Sequence, residues 1–323
     1  MEDYPKTMLE LEERFKTEAA CRDYLSNLRW SNGFRCRRCG NEKAWIRTSG
    51  YFECAGCGLM TSVIAGTVFQ DTKKPLTLWF RAIWQITSQK YGANALGVQR
   101  ALGLGSYRTA WSWLHKLRRA MIRPGRDRLS GTVQVDETFV GGERVGKRGR
   151  GAEGKSLVLI AAQKDGKRIG RIRLVVIPNA SADSIEQALE QMVEPGALIQ
   201  TDGWTGYSRL KQRGYRHEVI RQDAQLGDNL LPYCHRVASL LKRWLLGTYQ
   251  GAVSHENLSY YLDEYTFRFN RRFSHSRGKL FYRLVQQAVA VEPVLVKSLI
   301  KNSQDGLPNH NICLLYTSPS PRD

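Results

Sequence analysis

The sequence predicts an α/β chain in three folded segments: a small cysteine-clasped ribbon, a three-helix unit, and a mixed sheet with flanking helices. Three observations predict this. Four of the seven cysteines fall in two close pairs, CRRC and CAGC. Between residues 76 and 122 the apolar residues recur at helical spacing. From GTVQVDETFV onward, short alternating or apolar strand-like runs take over, with helical stretches between them.

Residues 1–30 read as one or two short helices, with Leu9, Leu11, Phe15 and Leu25 as apolar contacts. The ribbon is expected over residues 31–74. There Cys36, Cys39, Cys54 and Cys57 form C-x2-C-x14-C-x2-C. Each pair fits one tight turn with its two thiolates pointing the same way. Two such knuckles close a tetrahedral four-cysteine site for Zn2+, and WIRTSGYFEC supplies the hairpin between them. Four thiolates leave no open coordination position, so the expected role is structural. The competing readings are reduced cysteines without a metal and a redox pair. Arg35, Arg37, Arg38 and Lys43 surround the site and can grip phosphates. Cys21, Cys234 and Cys313 lack partner spacing and read as ordinary thiols.

Residues 75–124 form the helical unit. LTLWFRAIWQITSQ places Leu78, Ala82, Ile83 and Ile86 at helical spacing. NALGVQRALG is a second, short helix stopped by Gly103, and Ser106 can cap a third, SYRTAWSWLHKLRRAMI. Three short helices with a basic third one suggest a helix-turn-helix-like unit. In the third, Ala110, Leu114 and Leu117 make a core stripe flanked by Trp111 and Trp113. Arg108, Lys116, Arg118 and Arg119 are expected off that stripe, where they can enter a groove or track a DNA backbone. The plainer alternative is a solvated basic face. His115 is expected at the surface.

The sheet begins in VQVDETFVGG, where Val133 and Val135 share one face and Asp136 takes the other. A charge at such a position is costly unless it is paired or binds a metal. Glu137 faces opposite to Asp136 by strand alternation. GGERVGKRGRGAEGKS is a basic Gly-rich loop, in which Lys147 and Arg148 are expected to face DNA. SLVLIAAQKDGKRIGRIRLVVI reads as a hairpin, ADSIEQALEQMV as a helix, and ALIQTDGW as a short buried strand with Asp202 at its C-terminal end. Strand ends are where sites collect in open α/β sheets. Two aspartates on adjacent strands offer hard oxygen ligands to a divalent cation, although either alone is more often a turn cap. In PYCHRVASLLKRWL, an amphipathic helix, Lys242 follows His235 by seven residues on the same face. SHENLSYYLDEYTFRFNRR is a further basic and aromatic helix ending in Arg271 and Arg272, also expected to face DNA.

That order of residues resembles the RNase H-like domain of DDE-type transposases. The phrases TSVIAGTVFQDTKKPL, VDETFVGG, TDGWTGY, HRVASLLKRWLLGTYQG and YLDEYTFRFNRR resemble, in order, the bacterial insertion-sequence class that joins an N-terminal zinc ribbon to an ISXO-like domain. The resemblance covers roughly residues 20–285. It implies an RNase H-like mixed sheet over 128–285, with 286–323 as a C-terminal tail. It implies Mg2+ or Mn2+ bound by Asp136, Asp202 and His235, with Asp136 bridging two ions. Lys242 would contact a phosphate near the scissile bond. The chemistry implied is cleavage at insertion-element ends and strand transfer into target DNA, by at least a dimer on DNA. The departure is His235, where most such enzymes carry Glu; an imidazole suits Mn2+ better than Mg2+. Glu256, Asp263 and Glu264 are rival third ligands. The alternatives to a transposase are a zinc-ribbon DNA-binding regulator with an inactive RNase H-like domain, and a nuclease of the same fold.

Charge agrees with a nucleic-acid partner: 49 Lys and Arg against 30 Asp and Glu give a formal net charge of +19. The N-terminus MEDYPKTMLELEERF is too acidic and polar for a signal peptide, and no apolar run reaches membrane length. Both observations argue against a membrane and for the cytoplasm, with nucleoid association when DNA is bound. Residues 313–323, CLLYTSPSPRD, have no periodicity and resemble translated sequencing adapter, so the natural C-terminus is expected to differ.

Overall fold

The computed structural model describes residues 2–123, 125–141, 155–221, 230–251 and 253–294, together with 296 and 299. The chain divides into two compact units, one made of Met1–Arg126 with Phe267–Val294 and one centred on Asp127–Thr266.

The first unit opens with helices α1 (Met8–Arg14) and α2 (Glu18–Arg29). The side chains of Thr7 and Thr17 cap them by accepting from the amides of Glu10 and Ala20. The ribbon follows as an antiparallel sheet of β1 (Ala44–Ile46), β2 (Phe52–Cys54) and β3 (Met60–Thr61). Arg29 donates to the carbonyls of Ser62, Val63 and Ala65 at 3.1, 2.6 and 2.6 Å, which ties α2 to the segment leaving the ribbon. Helix α3 (Leu76–Ser88) has no cap of its own; Glu18 of α2 accepts from its first amide, Leu76, at 2.8 Å. Helices α4 (Ala95–Leu102) and α5 (Tyr107–Ala120) complete the three-helix unit.

These elements share one core that contains Leu11, Phe15, Val68, Phe80, Ile83, Leu114 and Leu117. Trp79 stacks on Trp113 with ring centroids 4.0 Å apart. Two expectations are corrected here. Leu9 is exposed and contributes nothing to the core. Helix α5 is buried on more than its predicted stripe, so His115 and Arg118 lie in the interior and not at the surface. Arg118 is therefore removed from the residues able to face DNA.

The second unit carries β4 (Thr132–Val140), β5 (Ser156–Asp165) and β6 (Arg168–Ile177) as an antiparallel meander. Helix α6 (Ala182–Met192) then crosses over to β7 (Leu198–Thr201), and β8 (Arg216–Val219) follows. Both later strands run parallel to β4, and the sheet order is β6-β5-β4-β7-β8. Three antiparallel strands followed by two parallel ones on the far side of the first is the RNase H-like arrangement. One face of the sheet, with Val133, Val135, Leu159 and Ile199, packs on Ile185 and Leu189 of α6. The other meets helix α7 (Pro232–Tyr249), whose Tyr233 amide donates to the Gln134 side chain at 2.9 Å and whose Cys234 thiol sits 3.7 Å from the Ile160 carbonyl.

Helix α8 (Leu258–Phe269) leaves the second unit at Thr266, and helix α9 (Arg277–Ala290) returns to the first. There Leu280, Phe281, Leu284 and Val285 fill the core among α2, α3 and α5. The sequence expects residues 267–285 in the 128–285 segment and 286–294 in the tail; both stretches group with the first unit. Among the described residues no helix is long and apolar enough to cross a membrane.

Burial, and secondarily Arg118, depresses the His115 imidazole from 6.5 to about 2. The native state then keeps His115 neutral while the unfolded chain protonates it below about pH 6.5. Its contribution is intact above that pH and is lost as pH falls toward 2, by about 1.4 kcal/mol per pH unit while only the unfolded form titrates. His115→Phe is expected to flatten the fall in stability between pH 6.5 and 5, measured by urea unfolding at each pH.

Candidate active site and metal site

The four ribbon cysteines are brought together as their spacing predicts. Their sulfurs lie within 4.8 Å of one another, with Cys36–Cys57 at 3.7 Å and Cys39–Cys54 at 3.5 Å. Thiolates about 2.3 Å from a tetrahedral ion are separated by about 3.8 Å, so the cluster fits such an ion closely. The two knuckles repeat one local geometry. In each, an amide two residues on donates to the first sulfur, Arg38 to Cys36 and Gly56 to Cys54, both at 3.4 Å. In each, the first carbonyl accepts from the glycine four residues on, Gly40 or Gly58. Backbone donors, that of Cys39 first, lower the Cys36 thiol to about 6, whereas Cys39, despite a backbone donor at Asn41, is pushed up to about 12 by the neighbouring Cys54 and Cys57 sulfurs. Cys21 and Cys234 lie buried away from this cluster, and Cys313 lies outside the described residues.

The other predicted ligands lie on β4 (Asp136), just past β7 (Asp202) and on α7 (His235). The parallel register pairs Val133 with Ile199 and Gln134 with Gln200. Counted two residues past that last pair, Asp136 and Asp202 stand at equivalent positions on neighbouring chain segments. From α7, His235 Nε2 reaches to 3.4 Å from Asp136 Oδ2. Ligands on adjacent corners of an octahedral ion at about 2.1 Å lie roughly 3 Å apart, so this pair fits a shared cation. The side chains of His235 and Asp136 are 47% and 20% exposed, which leaves the pair open to a large substrate. Asp202 lies just past the end of β7, and its Oδ1 accepts from the Trp204 amide at 3.0 Å. Among the described residues, only the four cysteines are gathered tightly enough to form a complete metal-ligand group; Asp202 shares a register level with Asp136 and is not drawn into contact with it.

Lys242 lies about two turns, or roughly 10 Å, along α7 from His235 and on nearly the same face. Burial lowers its pKa, Lys155 lowers it further, and Asp136 opposes the shift. The ammonium thus sits in a field that includes the Asp136 carboxylate.

Sequence reasoning missed what lies behind Asp136. Glu137 points to the α6 face, as strand alternation requires, and its carboxylate accepts from the hydroxyl of Tyr207. Tyr207 is fully buried in the turn that follows Asp202, and burial raises its pKa well above the usual 10, with Glu137 adding to the effect. The available signal was TDGWTGY, in which an aromatic follows a strand-end aspartate at a distance a single turn can close.

The basic residues divide. Arg35, Arg37, Arg38 and Lys43 are exposed around the ribbon, and Arg108 and Arg119 are exposed on α5. Lys116 is half-buried, and burial lowers its pKa. Arg271 lies over the Phe267 ring at 4.0 Å and is pushed down to about 10, chiefly by burial; Arg272 stacks on Phe269 and Phe273. Lys147 and Arg148 lie outside the described residues. Of the rival carboxylates, Glu264 is fully buried and accepts from the Tyr249 hydroxyl at 3.2 Å, Asp263 is half-buried on α8, and Glu256 is exposed in a short turn before α8.

Comparisons agree with this layout. Residues 128–270 match the ISXO2-like transposase domain family, and residues 16–59 match the transposase zinc-ribbon domain family. An uncharacterized protein in transposable element ISH50 of Halobacterium salinarum is 28% identical over 278 residues, covering 79% of this chain and 91% of its own. Among solved structures, the Mos1 strand transfer complex is similar over 68% of this chain and 78% of its own at 13% identity; its TM-score of 0.27 lends the fold no support beyond the strand order itself. The chain thus carries, in order, a segment similar to a transposase zinc-ribbon domain and a segment similar to an ISXO2-like transposase domain.

Proposed function

We propose that this protein is a DDE-type DNA transposase that cleaves DNA at insertion-element ends and joins the freed end to target DNA. The observation that carries the proposal is the register of β4 with β7, which levels Asp136 with Asp202 while α7 brings His235 to 3.4 Å from Asp136. Within a transposase domain, that is where two carboxylates and an imidazole can hold Mg2+ or Mn2+. Asp136, Asp202 and His235 would hold divalent cations there, which would supply the positive charge that activates an attacking oxygen and neutralises a departing one.

The protein's own groups do the rest. Asp136 and Asp202 set the position of the scissile phosphate by fixing where positive charge lies. Lys242 holds a neighbouring phosphate oxygen, and a phosphate there offsets the repulsion from Lys155. In hydrolysis the oxygen of a water forms one P–O bond as the bond to the 3′-oxygen breaks, leaving a 5′-phosphate and a 3′-hydroxyl, which takes up a proton; in strand transfer that hydroxyl gives up its proton and forms one P–O bond to target DNA as the bond to a target 3′-oxygen breaks. Arg35, Arg37, Arg38 and Lys43 on the ribbon, Arg108, Lys116 and Arg119 on α5, and Lys147, Arg148, Arg271 and Arg272 are the phosphate-binding candidates. Handling two element ends implies at least a dimer on DNA. The ribbon ion is Zn2+ in a structural role, because four thiolates leave no open position.

Three outcomes test this reading. Asp136→Ala and Asp202→Ala are each expected to reduce cleavage and strand transfer of element-end DNA to background while DNA binding, measured by gel shift, persists. Activity surviving both changes contradicts it, loss of joining alone would mark a nuclease, and no metal-dependent cleavage by the unaltered chain would mark a regulator. His235→Ala is expected to abolish metal-dependent cleavage, and His235→Glu to shift the preference from Mn2+ toward Mg2+. Unchanged cleavage in His235→Ala points to Glu256 instead. Elemental analysis is expected to find about one zinc per chain, falling well below that in Cys36→Ser with a lowered Tm.

A further inference from the structure

The two aspartates of the proposed cation site are joined by a hydrogen-bonded path through the core. Asp136 Oδ1 accepts from the Glu137 amide at 2.9 Å. The Glu137 carboxylate accepts from the Tyr207 hydroxyl. The Tyr207 amide donates to the Trp204 carbonyl at 3.0 Å, and the Trp204 amide donates to Asp202 Oδ1, also at 3.0 Å. Every covalent stretch between these bonds is short and held within β4 or the turn after β7.

That turn is itself fixed to the core. The Trp204 indole donates to the Ala180 carbonyl at 3.0 Å. A Cβ at Gly206 would come within 2.7 Å of the same carbonyl and 2.8 Å of Ile185, so only glycine lets the turn seat against α6. At Gly203, φ is +85° and a Cβ would meet Val219 at 2.6 Å, so the chain reverses immediately after Asp202. The β4–β7 pairing ends at Gln134 and Gln200, and β7 itself ends at Thr201 against Val219 of β8, so the sheet ladder does not hold Asp202.

We propose that Tyr207 and Glu137 are positioning residues: their buried hydrogen bond sets the separation of Asp136 and Asp202 and thereby the affinity of the cation site. This rests on the reading of that site as a divalent-cation site. A strand-end carboxylate free of its ladder otherwise samples many positions, and an outer hydrogen-bond partner of a metal ligand is commonly worth ten- to a hundredfold in affinity (a range of about 10–100). Glu137 and Tyr207 touch neither substrate nor cation in this reading and act only through the backbone of the two ligands.

The test is Mn2+ binding to the full chain with its ribbon ion in place, read by electron paramagnetic resonance of free Mn2+, beside circular dichroism and Tm. Tyr207→Phe is expected to bind Mn2+ about tenfold more weakly while remaining folded at the assay temperature. Glu137→Gln keeps the acceptor and is expected to bind close to the unaltered chain. If Tyr207→Phe fails to fold, Glu137→Met deletes the same bond from the strand side and is expected to show the weakening. Asp136-dependent Mn2+ binding that is unchanged in the bond-deleting variant overturns the positioning role and leaves the site reading intact. Equal weakening in Glu137→Gln overturns it as well, because the carboxylate charge and not the bond would then set affinity. An unaltered chain that binds no Mn2+ dependent on Asp136 fails the site reading itself and removes the basis of the positioning role.

Discussion

The parallel pairing of β4 with β7 is the contact on which the rest of the second unit depends. It sets the strand that follows α6 directly beside the first strand of the meander, in a register that levels Asp136 with Asp202. A slip of one residue would turn Ile199 out of the α6 core and Asp202 to the other side of the sheet. The apolar face therefore enforces the polar one: Val133, Val135 and Ile199 must all face α6, and Asp136 must then face α7. Charge at the centre of the sheet is tolerated because the first turn of α7 sets His235 beside Asp136, and because Glu137, on the opposite face, meets Tyr207.

The first unit solves a different problem. A ribbon of three short strands has almost no core of its own, and its knuckles depend on an ion that four close sulfurs fit. The helices beside it carry the hydrophobic load, with Trp79, Trp113 and Phe281 at the centre. Positive charge is left on the outside at Arg35, Arg37, Arg38, Lys43, Arg108 and Arg119, while Arg118 is drawn inside. Of the residues proposed to face DNA in this unit, the exposed ones lie on the ribbon and at the two ends of α5.

What the sequence revealed follows from the range of each interaction. The cysteine knuckles are local, and their spacing alone told how the sulfurs meet. The orientations of Asp136 and Glu137 were legible because strand alternation is also local. The adjacency of Asp136 and Asp202 was not readable from periodicity; it needed the topology, which came from the resemblance and which the strand order bears out. The burial of His115 and Arg118 was missed because α5 packs against both α4 and the distant α9, and an amphipathic stripe cannot announce a second partner. The assignment of α9 to the first unit was hidden for the same reason. Tyr207 was passed over because an aromatic in a turn has no periodic signature, and its importance lies in a carboxylate seventy residues earlier in the chain.

The central claim is that Asp136, Asp202 and His235 share a cation. Anomalous diffraction from crystals of the full chain soaked in Mn2+ tests it most directly. The expected result is a Mn2+ peak bounded by one oxygen each of Asp136 and Asp202 and by His235 Nε2, separate from the zinc held by the four cysteines. Mn2+ bound without any of these three side chains, or none bound in crystals whose ribbon zinc is in place, would contradict it.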